Sequence, residues 1–159
     1  MQLGSILGDD QGEACVTERV EFTFNRKTST GLRKHRVAAI FLPVSVQDRA
    51  TSRRAALAYL RSLPDYKERE EIGGERYVPP IPASVLEEEC AYRFLAEALH
   101  DVDDSRVKFV GAADYGLFRD GVILEQVNWL HDVYKRYIAR EYSELTPDLK
   151  ALEDEAAKK

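Results

Sequence analysis

A chain of 159 residues and 18.1 kDa, 44% hydrophobic and 32% charged, can bury roughly two thirds of the surface it exposes when unfolded, so its core needs neither a metal nor disulfide staples. Its longest apolar stretch, Val37 to Val44, falls far short of the roughly 20 residues that cross a bilayer, and no basic segment leads into an apolar one at the N-terminus. A disulfide miniprotein and a membrane span are therefore not expected. One cytoplasmic domain, or a domain with a small appendage, is. Cys15 and Cys90 stand far apart in unlike contexts, as reduced thiols do.

The net charge of -5 is unevenly spread. Arg26 to Arg61 holds nine basic residues against Asp48 alone, a local charge of +8 that leaves -13 for the rest. Such halves either attract each other, within one fold or between copies, or present a basic face to nucleic acid or an acidic partner. The first is preferred, because a nucleic-acid binder is usually basic overall.

In chain order, residues 1–17 read as a Gly-containing leader. Val20, Phe22 and Phe24 alternate with Glu21, Thr23 and Asn25, the period of a strand with one apolar face. A polar connection from Asn25 to His35 is expected to follow. Val37 to Leu42 is apolar at every position and ends at Pro43, as a strand covered on both faces would. The pair predicts a β-hairpin with a long basic loop.

Asp48 or Thr51 can cap a helix that runs to about Ser62, with Ala56, Leu57, Leu60 and Leu63 on one stripe and Arg49 and Arg53 extending it. Cations near a helix N-terminus oppose its dipole unless an anion meets them. They can pair with the acidic C-terminal portion, or they can wait for an anionic partner. Residues 64–82, with Pro64, Gly73, Gly74, Pro79, Pro80 and Pro82, read as a linker between subdomains 18–63 and 83–145.

Ala83 to His100 reads as a helix opened by a Ser84/Glu87 capping box, with Cys90, Ala91, Phe94, Leu95, Ala98 and Leu99 on its apolar side. Glu89, Arg93 and Glu97 form an i, i+4 ladder, expected to be a solvated face. Asp101, Asp103 and Asp104 do not make an EF-hand, because Arg106 and Ala112 stand where that loop needs Gly and Glu. After a loop or short strand over 107–119, Asp120 is expected to cap a last helix from Gly121 to Tyr142. Its stripe is Ile123, Val127, Leu130, Tyr134, Tyr137 and Ile138, packed on the preceding helix as an antiparallel pair. Val122, Trp129 and Val133 project to one side, close to Arg136 and Arg140. A Trp among apolar and Arg residues has the composition of a binding hot spot, or it covers the side of the hairpin. Residues 146–159 read as a charged tail.

The fold class that results is α+β: an N-terminal antiparallel β-hairpin plus helix, followed by a C-terminal antiparallel α-helical pair. His35, His100 and His131 have no triad context, no glycine pattern cradles a phosphate, and no Cys or His pair has zinc spacing. No catalytic residue, cofactor or metal is expected. Two groups remain as candidate partner sites: Trp129, Val122, Val133, Arg136 and Arg140 for a protein, and Arg33, Lys34, Arg36, Arg49 and Arg53 for an anionic partner.

The order of pieces carries a further hint. A strand-then-proline segment, Ile40 to Val46, is followed by Leu86 to Leu99 reading LEEECAYRFLAEAL. An Asp-containing turn comes next, then a final helix bearing Tyr134, Tyr137 and Tyr142. This order resembles the tail assembly chaperones of long-tailed bacteriophages. The resemblance implies a non-enzymatic protein of the host cytoplasm that binds the long tape measure protein, keeps it soluble and helps the tail tube assemble around it. The N-terminal hairpin with its basic loop would equally suit a virion connector or tube-capping protein. A nucleic-acid or anionic-partner binding module, using the basic 26–61 segment, is the alternative function.

Overall fold

The computed structural model describes residues 3–6, 8, 12–142 and 154–155. Two long strands, β1 (Glu18–Thr28) and β2 (Gly31–Phe41), pair antiparallel in unbroken register from Glu18↔Phe41 to Thr28↔Gly31. The expected loop from Asn25 to His35 is thus a continuation of the ladder, closed by the two-residue turn Ser29–Thr30. Beyond Phe24 both faces of the ribbon meet solvent, so no hydrophobic alternation marks it. Gly31 leaves the turn at φ +125°, a conformation that side chains disfavour. Thr28 Oγ1 donates to the Gly31 carbonyl at 2.9 Å.

The helix after Pro43, α1 (Val46–Ser62), begins earlier than Asp48 or Thr51 would set it. Ser45 is its cap, and its Oγ accepts from the Asp48 N–H at 3.0 Å. Its buried positions are Ser52, Ala56 and Leu60, while Leu57 is exposed. Within 64–82 the short strands β3 (Arg69–Glu70) and β4 (Arg76–Tyr77) make a small hairpin. Arg61 ties this segment back to α1, donating to the Pro79 carbonyl at 2.5 Å and the Tyr66 carbonyl at 3.1 Å.

Helix α2 (Ala83–Ala98) opens on Pro82 without a side-chain cap. The Val85 and Leu86 N–H groups both reach the Pro82 carbonyl at 3.1 Å, so the expected Ser84/Glu87 box is not formed. The helix also stops short of His100, because Leu99–His100 becomes β5, pairing Leu99 with Phe41 and His100 with Ile40. The sheet order is β1-β2-β5. The wholly apolar run of β2 therefore lies in the middle strand, where both faces of Ala39 to Phe41 are buried.

A short helix, α3 (Tyr115–Gly121), precedes α4 (Leu124–Tyr142). The expected single helix from Gly121 is broken at Val122, which is extended at φ -109°, ψ 118°. Asp120 therefore sits inside α3 and does not cap α4. The break also shifts the phase: Ile123 is exposed, whereas Val127, Leu130, Tyr134 and Tyr137 are buried as expected. A Cβ at Gly121 would overlap the Phe24 ring and crowd the Asn25 carbonyl oxygen, so the missing side chain lets α3 press against β1.

The core lies between the inner sheet face (Val20, Phe22, Ala39, Phe41) and α2, α3 and α4, which contribute Tyr92, Leu95, Phe118, Leu130 and Tyr137 among others. α1 packs along α2, and α2 along α4. The molecule is α+β, with the hairpin and α1 followed by packed helices. The Val44 N–H donates to Tyr134 OH at 3.0 Å, and Tyr137 OH donates to the Val16 carbonyl at 2.5 Å; two tyrosines of α4 thereby hold the ends of the hairpin. Much of the leader and most of the tail expected over 146–159 lie outside the described residues. No described helix is long and apolar enough to cross a membrane.

Candidate functional site

Two surfaces collect the residues that composition and spacing single out. The first is a cleft of about 430 Å³ bounded by α1, α2 and α4. Leu86, Cys90 and Phe94 stand four residues apart along α2, half-buried, and line it together with Ala91 and His131. Arg49 and Arg53, one turn apart on α1 and both exposed, stand at its side, and Glu87 is the carboxylate among its lining residues. The Arg49 guanidinium lies 5.1 Å from the centroid of the Phe94 ring. Neither arginine forms an ion pair among the described residues, so the expected pairing with the acidic C-terminal portion is not made there.

His131 stacks on Phe94 at 5.2 Å, and its Nε2 lies 3.0 Å from the Ala91 carbonyl. A carbonyl can only accept, so the proton sits on Nε2. Burial holds this imidazole below its ordinary value, against the opposing pull of that hydrogen bond. Burial also pushes the Cys90 thiol up, partly offset by Arg53, which makes it a poor nucleophile.

The second surface is a groove of about 550 Å³ between β1 and α4, lined by Glu18, Arg19, Val20, Glu21, Arg36, Trp129, Val133, Arg136 and Arg140. Four of the five residues expected on the α4 side surface meet here. Val122 does not: it is 2% exposed, buried because it lies in the break before α4 rather than on its side. Trp129 keeps 45% of its surface exposed. Arg140 pairs with Glu18 at 2.6 Å and Glu141 at 3.2 Å, and Glu21 is shared by Arg19 at 3.0 Å and Arg36 at 3.6 Å.

The five residues expected to meet an anionic partner do not converge. Arg36 lines the groove and Arg49 and Arg53 the cleft, while Arg33 and Lys34 lie out on the hairpin ribbon on opposite faces. There Arg26 is directly opposite Arg33, and the Arg33 guanidinium donates to Thr30 Oγ1 at 3.1 Å.

Glu89, expected on a solvated ladder, is 1% exposed. Its Oε1 accepts from Tyr115 OH at 2.5 Å and from Arg93 at 3.4 Å, and its Oε2 accepts from Arg119 Nε at 2.8 Å. Burial, the bond to Glu89 and its charge push the Tyr115 phenol far up. The sequence carried a signal for this cluster: Glu89 stands three residues before Tyr92, on the buried side of α2, and Tyr115 and Arg119 are one helical turn apart. The cleft floor was harder to see, because Cys90, Ala91 and Phe94 read as core and only the position of α1 decides that they line an opening. Among the described residues no three His, Cys, Asp or Glu side chains gather as a metal site.

The fold is an α+β scaffold that carries two surface clefts. In comparisons with protein-family models, curated proteins and solved structures, the chain matches none.

Proposed function

We propose that this chain is a non-enzymatic assembly factor of the tail assembly chaperone kind, holding a helical segment of a client such as a tape measure protein. The observation that carries the reading is the cleft between α1 and α2, with its stripe Leu86, Cys90 and Phe94 flanked by Arg49 and Arg53. Apolar positions at i, i+4 and i+8 match the spacing of an amphipathic helix laid into a groove. Guanidinium groups one turn apart match carboxylates one turn apart on such a helix, which fixes its register and speeds encounter. A depressed imidazole and a raised thiol in the same cleft suit a neutral, partly apolar binding surface better than proton transfer.

The test is a tagged pull-down from the native cytoplasm at low and at moderate salt, reading both protein and the ratio of absorbance at 260 and 280 nm. A long helical client retained at moderate salt is expected, one that precipitates when expressed alone and stays soluble with this chain. The double variant Arg49→Glu/Arg53→Glu, made at two exposed positions, should weaken its retention about tenfold or more. Retention unchanged in that variant would sink the cleft as the client site.

A second reading rests on a separate observation. Arg26 and Arg33 face each other on the exposed ribbon, an arrangement that costs stability unless an anion sits between them. If the chain is instead a nucleic-acid or anionic-partner module, the eluate will carry nucleic acid at low salt that washes away at moderate salt, and Arg33→Ala, Lys34→Ala and Arg36→Ala will flatten that salt dependence.

A further inference from the structure

β1 is the outer strand of its sheet, and no described strand pairs with its free edge. The direction of its backbone groups is fixed by one contact. The Thr23 N–H donates to Gln126 Oε1 at 2.6 Å, and the Thr23 carbonyl accepts from Gln126 Nε2 at 3.2 Å. Thr23 therefore turns both backbone groups away from β2, and in an unbroken antiparallel ladder every second residue does the same. Arg19 and Glu21 belong to that outward set. The carboxamide of Gln126 satisfies the edge at Thr23 as a peptide group would, and next to it the edge at Arg19 and Glu21 opens onto the groove whose other wall is α4.

We propose that this groove accepts an extended segment of a partner polypeptide, which adds to β1 as a further strand and carries a carboxylate for Arg136. Outward N–H and C=O groups at alternate residues supply the main-chain bonds of strand addition, and alternate side chains of the segment supply the specificity. Those facing α4 meet Trp129 and Val133, an exposed indole beside an aliphatic side chain. The charge of the occupant follows from the pairing already present. Glu21 is shared between Arg19 and Arg36, whereas Arg136 has no carboxylate partner among the described residues. A segment with an acidic side chain next to an apolar one completes the set. This groove shares no lining residue with the helical cleft, and the proposal stands whether or not that cleft binds a client.

The chain's single tryptophan is Trp129, so its fluorescence reads the groove directly. The experiment titrates the full chain with two capped octapeptides of β-branched residues, one with a central glutamate and one with a central lysine. The glutamate peptide should shift the emission and bind about tenfold tighter than the lysine peptide, and Arg136→Glu should reverse that order. Methylating the peptide's amide nitrogens one at a time should weaken binding about tenfold at every second position and little at those between. Glu21→Pro, which removes an outward N–H that the β1–β2 ladder does not use, should weaken it similarly. Equal binding of the two peptides, or a loss that does not alternate, overturns the proposal. So does emission that ignores both peptides and follows protein concentration alone, the mark of a second copy in the groove.

Discussion

Both oxygens of the Glu89 carboxylate are engaged, by Tyr115 and Arg93 on one side and Arg119 on the other. A buried carboxylate loses several kcal/mol of hydration, and it persists only where cations and donors surround it. Arg93 also lies 3.4 Å over the Tyr115 ring, and Arg119 lies 4.3 Å over Tyr92. Glu89→Gln should therefore lower stability by about 3–5 kcal/mol, read as a lower denaturant midpoint. Glu97→Gln, which breaks a half-exposed pair with Lys108, should change it by about 1 kcal/mol or less. Burial holds both His100 and His131 below the ordinary imidazole value, and His131 sets part of the pH dependence. Burial lowers its affinity for a proton in the folded state, so the unfolded chain binds more protons as acid is added. Its contribution is whole above the ordinary imidazole value of 6.5 and is lost as pH falls through the lower folded value. Stability measured by chemical denaturation should fall over that range, and His131→Phe should reduce the slope.

Among the elements, the strands and helices were legible where one face is apolar, and illegible where none is. Val20, Phe22 and Phe24 alternate against the core and show β1 in the sequence, but the ladder runs on past them with solvent on both faces. Charged residues such as Arg26 and Lys27 look like loop and form strand, because register and a tight turn at Ser29–Thr30 hold them. Replacing one of the facing arginines, as in Arg33→Glu, makes an opposite-charge pair with Arg26 and should stabilise the ribbon by about 0.2–1 kcal/mol. Ser45 rather than Asp48 caps α1, and Ser45→Ala should cost about 1 kcal/mol. The break between α3 and α4 escaped the periodicity because Val122 and Ile123 are apolar, like their helical neighbours. What sets the break is tertiary: Tyr92 OH donates to the Val122 carbonyl at 2.5 Å, and Gly121 meets Phe24. Gly121→Ala should cost about 1–3 kcal/mol through that overlap, measured as a shift in thermal midpoint.

At the scale of the whole molecule, the sheet and α2–α4 share one core, and the surfaces left over are the cleft beside α1 and the groove beside β1. Trp129, Val133, Arg136 and Arg140 could be grouped from helical spacing, since one helix carries them. Arg49 and Arg53 could be marked as unpaired cations, but Leu86, Cys90, Phe94 and His131 come beside them only when α1 packs on α2. The central claim is that this cleft holds a client helix. Hydrogen–deuterium exchange on the complex recovered at moderate salt, compared with the chain alone, tests it most directly. The account predicts added protection over residues 46–53 and 83–94, with none on the ribbon at 26–34. Protection confined to 26–34, in a complex that carries nucleic acid, would contradict it.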